Sequence, residues 1–311
     1  MIDLKKEFEK EMGNDFMGEV LFGEILSKHS GLATGGPADI FVNPSDAMSL
    51  KKCIMFASGK RIPVEILGGG TNVLMNDRGF RGMVITLKNF NMIKVINETS
   101  EKVELFVEAG MPLQRLLNRC AEKGYKGLEC LAGIPGTVGG AIICNSGSFG
   151  QEIKDVIDSV VVISMSGMIK KIDRINIPFT YRASGLDKGL IVLSANITLE
   201  RADPQEIRRS ISDYLARKKA AQPIGARSAG CVFRNPDGDY AGRLIEEAGC
   251  KGLKVGGMEV SSVHANYIVN TGDGTSDDFI DLMKKVEQKV LDSAGIRLEP
   301  EVRILGDGTK K

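Results

Sequence analysis

Two runs of small, uncharged residues are where this chain of 311 residues has the means to do chemistry. The first, Gly68, Gly69, Gly70, Thr71 and Asn72, leaves the apolar stretch Pro63–Leu67 and runs on into Val73 and Leu74. The second extends from Gly133 to Gly150, with Ile134, Pro135, Gly136, Thr137, Gly139, Gly140, Ala141, Asn145 and Gly147 inside it, and almost no charge between Glu129 and Glu152. Glycine reaches backbone angles closed to other residues and lets a ligand approach the main chain. Rows of backbone N–H groups with small hydroxyls suit an extended molecule that contains a pyrophosphate. Neither run is a common nucleotide motif. A P-loop needs Gly-Lys followed by Ser or Thr, and this chain offers Gly59-Lys60-Arg61. Gly133, Gly136 and Gly139 are spaced three apart, unlike G-x-G-x-x-G, and no acidic strand end follows at the dinucleotide-binding distance.

Other chemistries are excluded by what the chain lacks. With only His29 and His264, and no H-E-x-x-H, neither a structural zinc nor a His-rich catalytic metal is expected. The six cysteines form no C-x-x-C pair, and a chain this long needs no disulfide staples, which points to a reducing cytoplasm. Lys plus Arg number 41 against 40 Asp plus Glu, so no net field draws in nucleic acid or an acidic membrane surface. The opening residues Met1 to Met12 mix both charges and lack the apolar centre of a secretion signal. No run approaches the roughly 20 apolar residues of a membrane span.

The elements that must position the loops alternate between strand and helix. Strands are expected at Ala38–Val42, Pro63–Leu67, Met83–Leu87, Ile93–Ile96 and Val103–Val107, with a helix starting near Asp46 and another running from Pro112 to about Lys123. Val160–Ser164 and Met168–Ile172 read as strands of a hairpin around Met165-Ser166-Gly167, and Ile191–Leu199 as one more strand. Asp203-Pro204 opens a basic helix that Gln222-Pro223 ends. Beyond it, Cys231–Phe233, Ala265–Asn270 and Glu301–Leu305 read as strands, and Tyr240–Ala248 and Ser276–Ala294 as helices. Phe279, Leu282 or Met283, Val286 and Val290 form the core face of the last helix.

Gly68–Leu74 and Gly133–Ala141 resemble the two flavin-cradling loops of the vanillyl-alcohol-oxidase (PCMH) type of FAD domain. Tyr181-Arg182, Ser228–Pro236, Ala241–Ile245, Gly256–Ala265 and Leu298–Arg303 narrow the resemblance to the UDP-N-acetylenolpyruvoylglucosamine reductase (MurB) family, from about Thr34 to Gly306. The resemblance implies an α/β (α+β) fold: a leader at 1–32, an FAD domain at 33–203 in two α+β subdomains (about 33–87 and 88–203), and an α/β substrate-binding cap at 204–311. It implies non-covalent FAD, NADPH as co-substrate, and reduction of UDP-N-acetylglucosamine enolpyruvate to UDP-N-acetylmuramate for peptidoglycan synthesis. The sequence leaves the oligomeric state open, with a monomer slightly favoured.

That reaction has definite demands. Hydride from the flavin N5 reaches the terminal vinyl carbon and drives charge into the adjacent carboxylate, giving an enolate that needs a fixed cation and donors. Arg182 suits this, because a guanidinium grips a carboxylate through two parallel bonds. By resemblance Glu301 stabilises the enolate, for which it must be protonated or share a proton. By resemblance Cys231 is the general acid; many relatives carry serine there, and a thiol with a reference pKa of about 8.5 is the stronger acid. Tyr181, Asn235 and His264 are expected at the substrate, with Lys218 and Arg234 as further candidates. Some family members close the site with a mobile tyrosine-bearing loop, for which Asp203–Gln222 has no room, so this chain resembles the shorter subtype. Two alternatives remain: an alcohol or sugar oxidase on the same fold, with His29 as a candidate flavin tether, and a non-catalytic nucleotide-sugar binding protein.

Overall fold

The computed structural model describes residues 2–306. In chain order the elements are α1 (Ile2–Met12), β1 (Gly18–Ile25), β2 (Pro37–Pro44), α2 (Ala47–Gly59), β3 (Val64–Leu67), β4 (Val73–Met75), β5 (Phe80–Thr86), β6 (Ile93–Glu98) and β7 (Lys102–Glu108). Then come α3 (Leu113–Lys123), β8 (Tyr125–Lys126), α4 (Val138–Ile143), β9 (Gly147–Ser148), β10 (Gln151–Glu152), β11 (Ile157–Ser164), β12 (Ile169–Asp173), β13 (Leu190–Arg201) and α5 (Pro204–Ala221). The last are β14 (Ser228–Cys231), α6 (Ala241–Glu247), β15 (Lys254–Val255), β16 (Met258–Val260), β17 (Tyr267–Asn270), α7 (Ser276–Ala294) and β18 (Arg303–Leu305).

These elements form two compact units, each drawn from separated stretches of chain. The first takes the residues up to Phe22, Asp39–Gly69 and Gly82–Arg217; the second takes Gly23–Ala38, Gly70–Arg81 and the chain from Lys218 onward. The first unit is organised by a sheet of order β1-β2-β5-β3, in which β3 and β5 run parallel, and by an antiparallel sheet of order β12-β11-β13-β7-β6 with β8 on β13. Its core includes Ile40, Leu50, Ile54, Met83, Leu105, Leu117 and Val160. The charged opening stretch is α1: Phe8 and Met12, one turn apart, are both buried, and the Phe8 ring meets Phe56 edge-on at 5.1 Å. Asp46 caps α2 by accepting from the Ser49 N–H at 2.7 Å, and Pro112 stands just before α3 rather than within it.

The second unit holds the antiparallel sheet β14-β17-β16-β15 and a parallel pair of β4 and β18. Helix α7 has the expected bounds and buries Phe279, Leu282, Met283, Val286 and Val290. Three strands expected in this unit have other bounds, β18 among them because it starts at Arg303 rather than Glu301; the other two have clear causes. The first is β14, which ends at Cys231, because Val232 and Phe233 bond instead to Asn266: its carbonyl takes the Val232 N–H at 2.9 Å, and its amide meets both main-chain groups of Phe233 at 2.9 and 2.7 Å. The second is β17, which starts at Tyr267 because a turn closes beforehand, with the Tyr267 N–H on the His264 carbonyl at 3.0 Å.

Candidate active site

In the first unit the two glycine runs meet. A β-carbon on Gly68 would lie 3.0 Å from the Thr137 hydroxyl, and Gly69 faces Gly136 more closely still. The second run is strapped to the start of α3, with Leu113 N–H on the Gly136 carbonyl at 3.0 Å and Val138 N–H on that of Met111 at 2.9 Å. Where the sequence reads as loop, Val138–Ile143 forms α4, capped by Thr137. Gly139 has to be glycine because a β-carbon would sit 2.9 Å from that of Ala109.

Arg182 lies against the end of this run. Its Nη1 donates to the Gly147 carbonyl at 3.2 Å, and its guanidinium stands 5.6 Å from the centre of the Tyr181 ring. Thr180 and Ala183 close a tight turn with paired bonds of 2.9 and 3.2 Å, and Asn145 Nδ2 donates to the Thr180 carbonyl at 3.0 Å. Among the described residues, five non-glycines have φ in the left-handed region. Three of them, Asn145 (43°), Phe149 (56°) and Arg182 (55°), fall in these two connected stretches. Each such residue costs about 1–3 kcal/mol, and strain of this kind collects at functional sites. Asn145 is fully buried, and its Oδ1 has no hydrogen-bond partner. It is an acceptor of the kind that a flavin ring N–H requires, and close-packed glycines leave main chain facing a ligand, so these residues fit FAD.

The second unit brings Cys231, Glu301 and the rest of the first glycine run together. The Glu301 N–H donates to the Val232 carbonyl at 2.7 Å, which places Glu301 beside the residue after Cys231. Asn72 Nδ2 donates to the Glu301 carbonyl at 3.4 Å, and the Asn72 carbonyl accepts from the Arg303 N–H at 3.2 Å. Gly230 takes a φ of 76° with the Thr71 carbonyl alongside, and Cys231 pairs with Tyr267 across β14 and β17. Gly70 is packed against the carbonyl of His29, leaving no space for a side chain.

The thiols differ in kind. Burial pushes Cys53 and Cys120 up to about 12, so they are inert core groups, whereas Cys231 is half-buried. Asn235 Oδ1 accepts from the Ala241 N–H at 3.0 Å and so orients the start of α6. His264 is a packed side chain: its ring meets Tyr267 at 5.0 Å, Nδ1 accepts from the Asn266 N–H at 3.2 Å, and Cε1 approaches Gly242. The Arg234 N–H donates to the Glu299 carbonyl at 2.8 Å, and the His29 ring pairs with Glu24 at 3.0 Å. Two residues stand out more than the sequence suggests. Lys218 is only 4% exposed, which is rare for lysine, and Phe149 is 43% exposed in a strained turn. The signal for Phe149 is an aromatic placed before Gly150 where a two-residue hairpin turn favours Asn. Among the described residues no group of His, Cys, Asp and Glu is arranged to hold a metal, and no helix is long and apolar enough to cross a membrane.

Comparison with known proteins gives a consistent result. The model of the UDP-N-acetylenolpyruvoylglucosamine reductase C-terminal domain matches residues 222–305, and that of an FAD-binding domain matches 38–173. The UDP-N-acetylenolpyruvoylglucosamine reductase of Caldanaerobacter subterraneus subsp. tengcongensis is 37% identical over 308 residues, covering 99% of this chain and 98% of that protein. The protein of the same name from Geotalea uraniireducens is 39% identical over 289 residues, covering 93% and 95%. The crystal structure of the Thermus caldophilus reductase superposes with a TM-score of 0.80 at 32% identity, covering 93% of this chain and 99% of that one.

Proposed function

The chain belongs to the UDP-N-acetylenolpyruvoylglucosamine reductase family, and from that premise we propose which of its residues perform the reaction. It is an FAD-dependent oxidoreductase of peptidoglycan precursor synthesis that reduces UDP-N-acetylglucosamine enolpyruvate with NADPH. The chemistry FAD supplies when bound is hydride transfer, from NADPH and on to the enolpyruvyl group. Gly68–Leu74 and the second glycine run, with Asn145, hold it. Residues 33–203 serve the cofactor and 204–311 the substrate, and the enzyme works in the cytoplasm.

Arg182 grips the enolpyruvyl carboxylate, anchored on its other side by the Gly147 carbonyl. A fixed guanidinium there stabilises charge as it develops, a contribution of about 3–4 kcal/mol for one such donor in a site that excludes water. Glu301 shares a proton with the enolate oxygen, since a bare carboxylate would repel it. Cys231 then delivers a proton to carbon, and the thiolate is reprotonated from solvent. Tyr181, Asn235, His264 and Lys218 line or support the substrate side. The observation that carries this reading is the short Glu301 to Val232 bond, which keeps an acid and a half-buried thiol on adjoining segments beside Asn72 of the cofactor loop.

NADPH should be consumed steadily only when the enolpyruvyl nucleotide sugar is present, and denaturation should release the flavin. Turnover of an alcohol with oxygen, flavin retained after denaturation, or binding without turnover would each refute the assignment.

A further inference from the structure

Phe149 breaks a local rule in a way that neither burial nor turn chemistry explains. Strands β9 and β10 pair Ser148 with Gln151, so Phe149 and Gly150 form a two-residue hairpin turn with φ of 56° and 85°. Positive φ at both central positions is the geometry that Asn-Gly fills readily and a bulky aromatic does not. Nor is the ring driven inward, since Phe149 remains exposed. It is held from one side by α5, where Tyr214 and Arg217, three residues apart, present the same face. The Phe149 and Tyr214 rings are 5.0 Å apart, and the Arg217 guanidinium lies 4.1 Å from the Phe149 centroid, a close cation–π contact.

This turn is the far end of the hairpin whose first residue, Gly147, accepts from Arg182. Gly147 has no play of its own, because a β-carbon there would fall 2.0 Å from the Gln151 carbonyl. The chain from α5 to the guanidinium is therefore short: Arg217 and Tyr214 hold Phe149, Phe149 fixes the turn, and the hairpin presents the Gly147 carbonyl to Arg182. We infer that Phe149 is a positioning residue for Arg182, fastened to α5 in a chain where that interval is a helix rather than a mobile loop. The inference rests on the reading of Arg182 as the carboxylate clamp.

The test uses the FAD-loaded enzyme and separates turn stability from clamp geometry. Phe149→Asn puts the favoured residue in the turn and removes the stack. It should melt at or above the wild-type temperature, keep its flavin and be reduced by NADPH within about 2-fold of wild type. Its reoxidation by the enolpyruvyl nucleotide sugar should be about 10-fold to 100-fold slower. Calorimetry on the oxidised enzyme should show weaker binding of the same nucleotide sugar. Phe149→Tyr should restore both. Arg217→Gln, an exposed change that cannot disturb the core, should lower reoxidation in the same direction by about 3-fold. Wild-type reoxidation in both Phe149→Asn and Arg217→Gln, or equal loss in the two half-reactions, would overturn the inference. Arg182→Lys run alongside tells the two claims apart. Normal turnover there removes the clamp itself, whereas slow Arg182→Lys with normal Phe149→Asn removes only the positioning role.

Discussion

Gly69 and Gly136 meet main chain to main chain: a β-carbon added to Gly69 would lie 2.7 Å from the α-carbon of Gly136, nearer than real β-carbons approach any atom. Both residues belong to the loops proposed to hold FAD, so on that proposal loss of this contact should weaken cofactor binding. Gly69→Ala should cost about 1–3 kcal/mol of overpacking and lower flavin retention. Gly59→Ala, at the end of α2 with nothing within 4 Å, should be neutral or stabilising by up to about 1 kcal/mol. The ratio of flavin to protein absorbance after gel filtration, with melting temperatures, measures both. Full flavin content in Gly69→Ala would show that the loops can part without loss.

Cys231 should act only after hydride has arrived at the substrate. In Cys231→Ala, reduction by NADPH should be nearly normal, while reoxidation by the enolpyruvyl nucleotide sugar slows by about 10² to 10⁴ fold, the range for a lost general acid. Cys231→Ser should retain measurable turnover. Rapid-mixing absorbance of the flavin resolves the two halves, and equal loss in both would make Cys231 a packing residue.

The pH dependence of the second unit should carry the signature of His264. Burial, and then the charge of Lys251, hold its pKa below the ordinary 6.5, and the Asn266 N–H donates to Nδ1, which favours the neutral ring. As pH falls, the unfolded chain binds this proton first. The stability is therefore complete above about 6.5 and is lost as pH drops through that value to the lower folded one. His264→Asn keeps an acceptor but does not titrate. Wild-type melting should fall relative to it between about pH 7.5 and 5.5, and parallel melting curves would exclude the effect.

Thr275 and Asp278 close a reciprocal box at the start of α7. The Thr275 hydroxyl accepts from the Asp278 N–H at 3.1 Å, and the Asp278 carboxylate accepts from the Thr275 N–H at 2.9 Å. Thr275→Ala should cost about 1 kcal/mol, a melting shift of about 2–4 °C. The bonds from Thr275 hold the Asp278 carboxyl below its ordinary 3.8, so its share of stability is present above that value and lost as acid protonates it. Thr275→Ala keeps the backbone bond to that carboxylate, so only the share of the gap that the hydroxyl contributes through the Asp278 carboxyl should fade in acid. A gap that stays constant down to about pH 3 would assign the loss to the hydroxyl alone.

Some elements are legible because their cause is local. The repeat of Phe279, Leu282, Val286 and Val290 specifies one buried stripe, and α7 has the bounds that Ser276 and Ala294 suggest. Met165-Ser166-Gly167 joins two alternating strands, and β11 and β12 pair across it. Other elements escape such reading because their partners lie far along the chain. Helix α4 exists inside a glycine run because Met111 and Ala109 supply main-chain bonds to Val138 and Gly139. Strand β14 stops at Cys231 because Asn266, 33 residues from Phe233, takes over the bonding of the next segment.

The site divides in the same way. The residues proposed to carry chemistry can be named from the chain itself: glycine runs without charge and an arginine after Tyr181 by their type and spacing, a thiol and an acid through motifs that resemble the reductase family. What the tertiary structure alone decides is which of them are held, and by what. It makes His264 a packed ring, sets Glu301 against Val232, buries Lys218, and fastens a strained Phe149 to α5. Those outcomes depend on contacts between distant segments, whose energies exist only once the backbone has brought the segments within a few ångströms of each other.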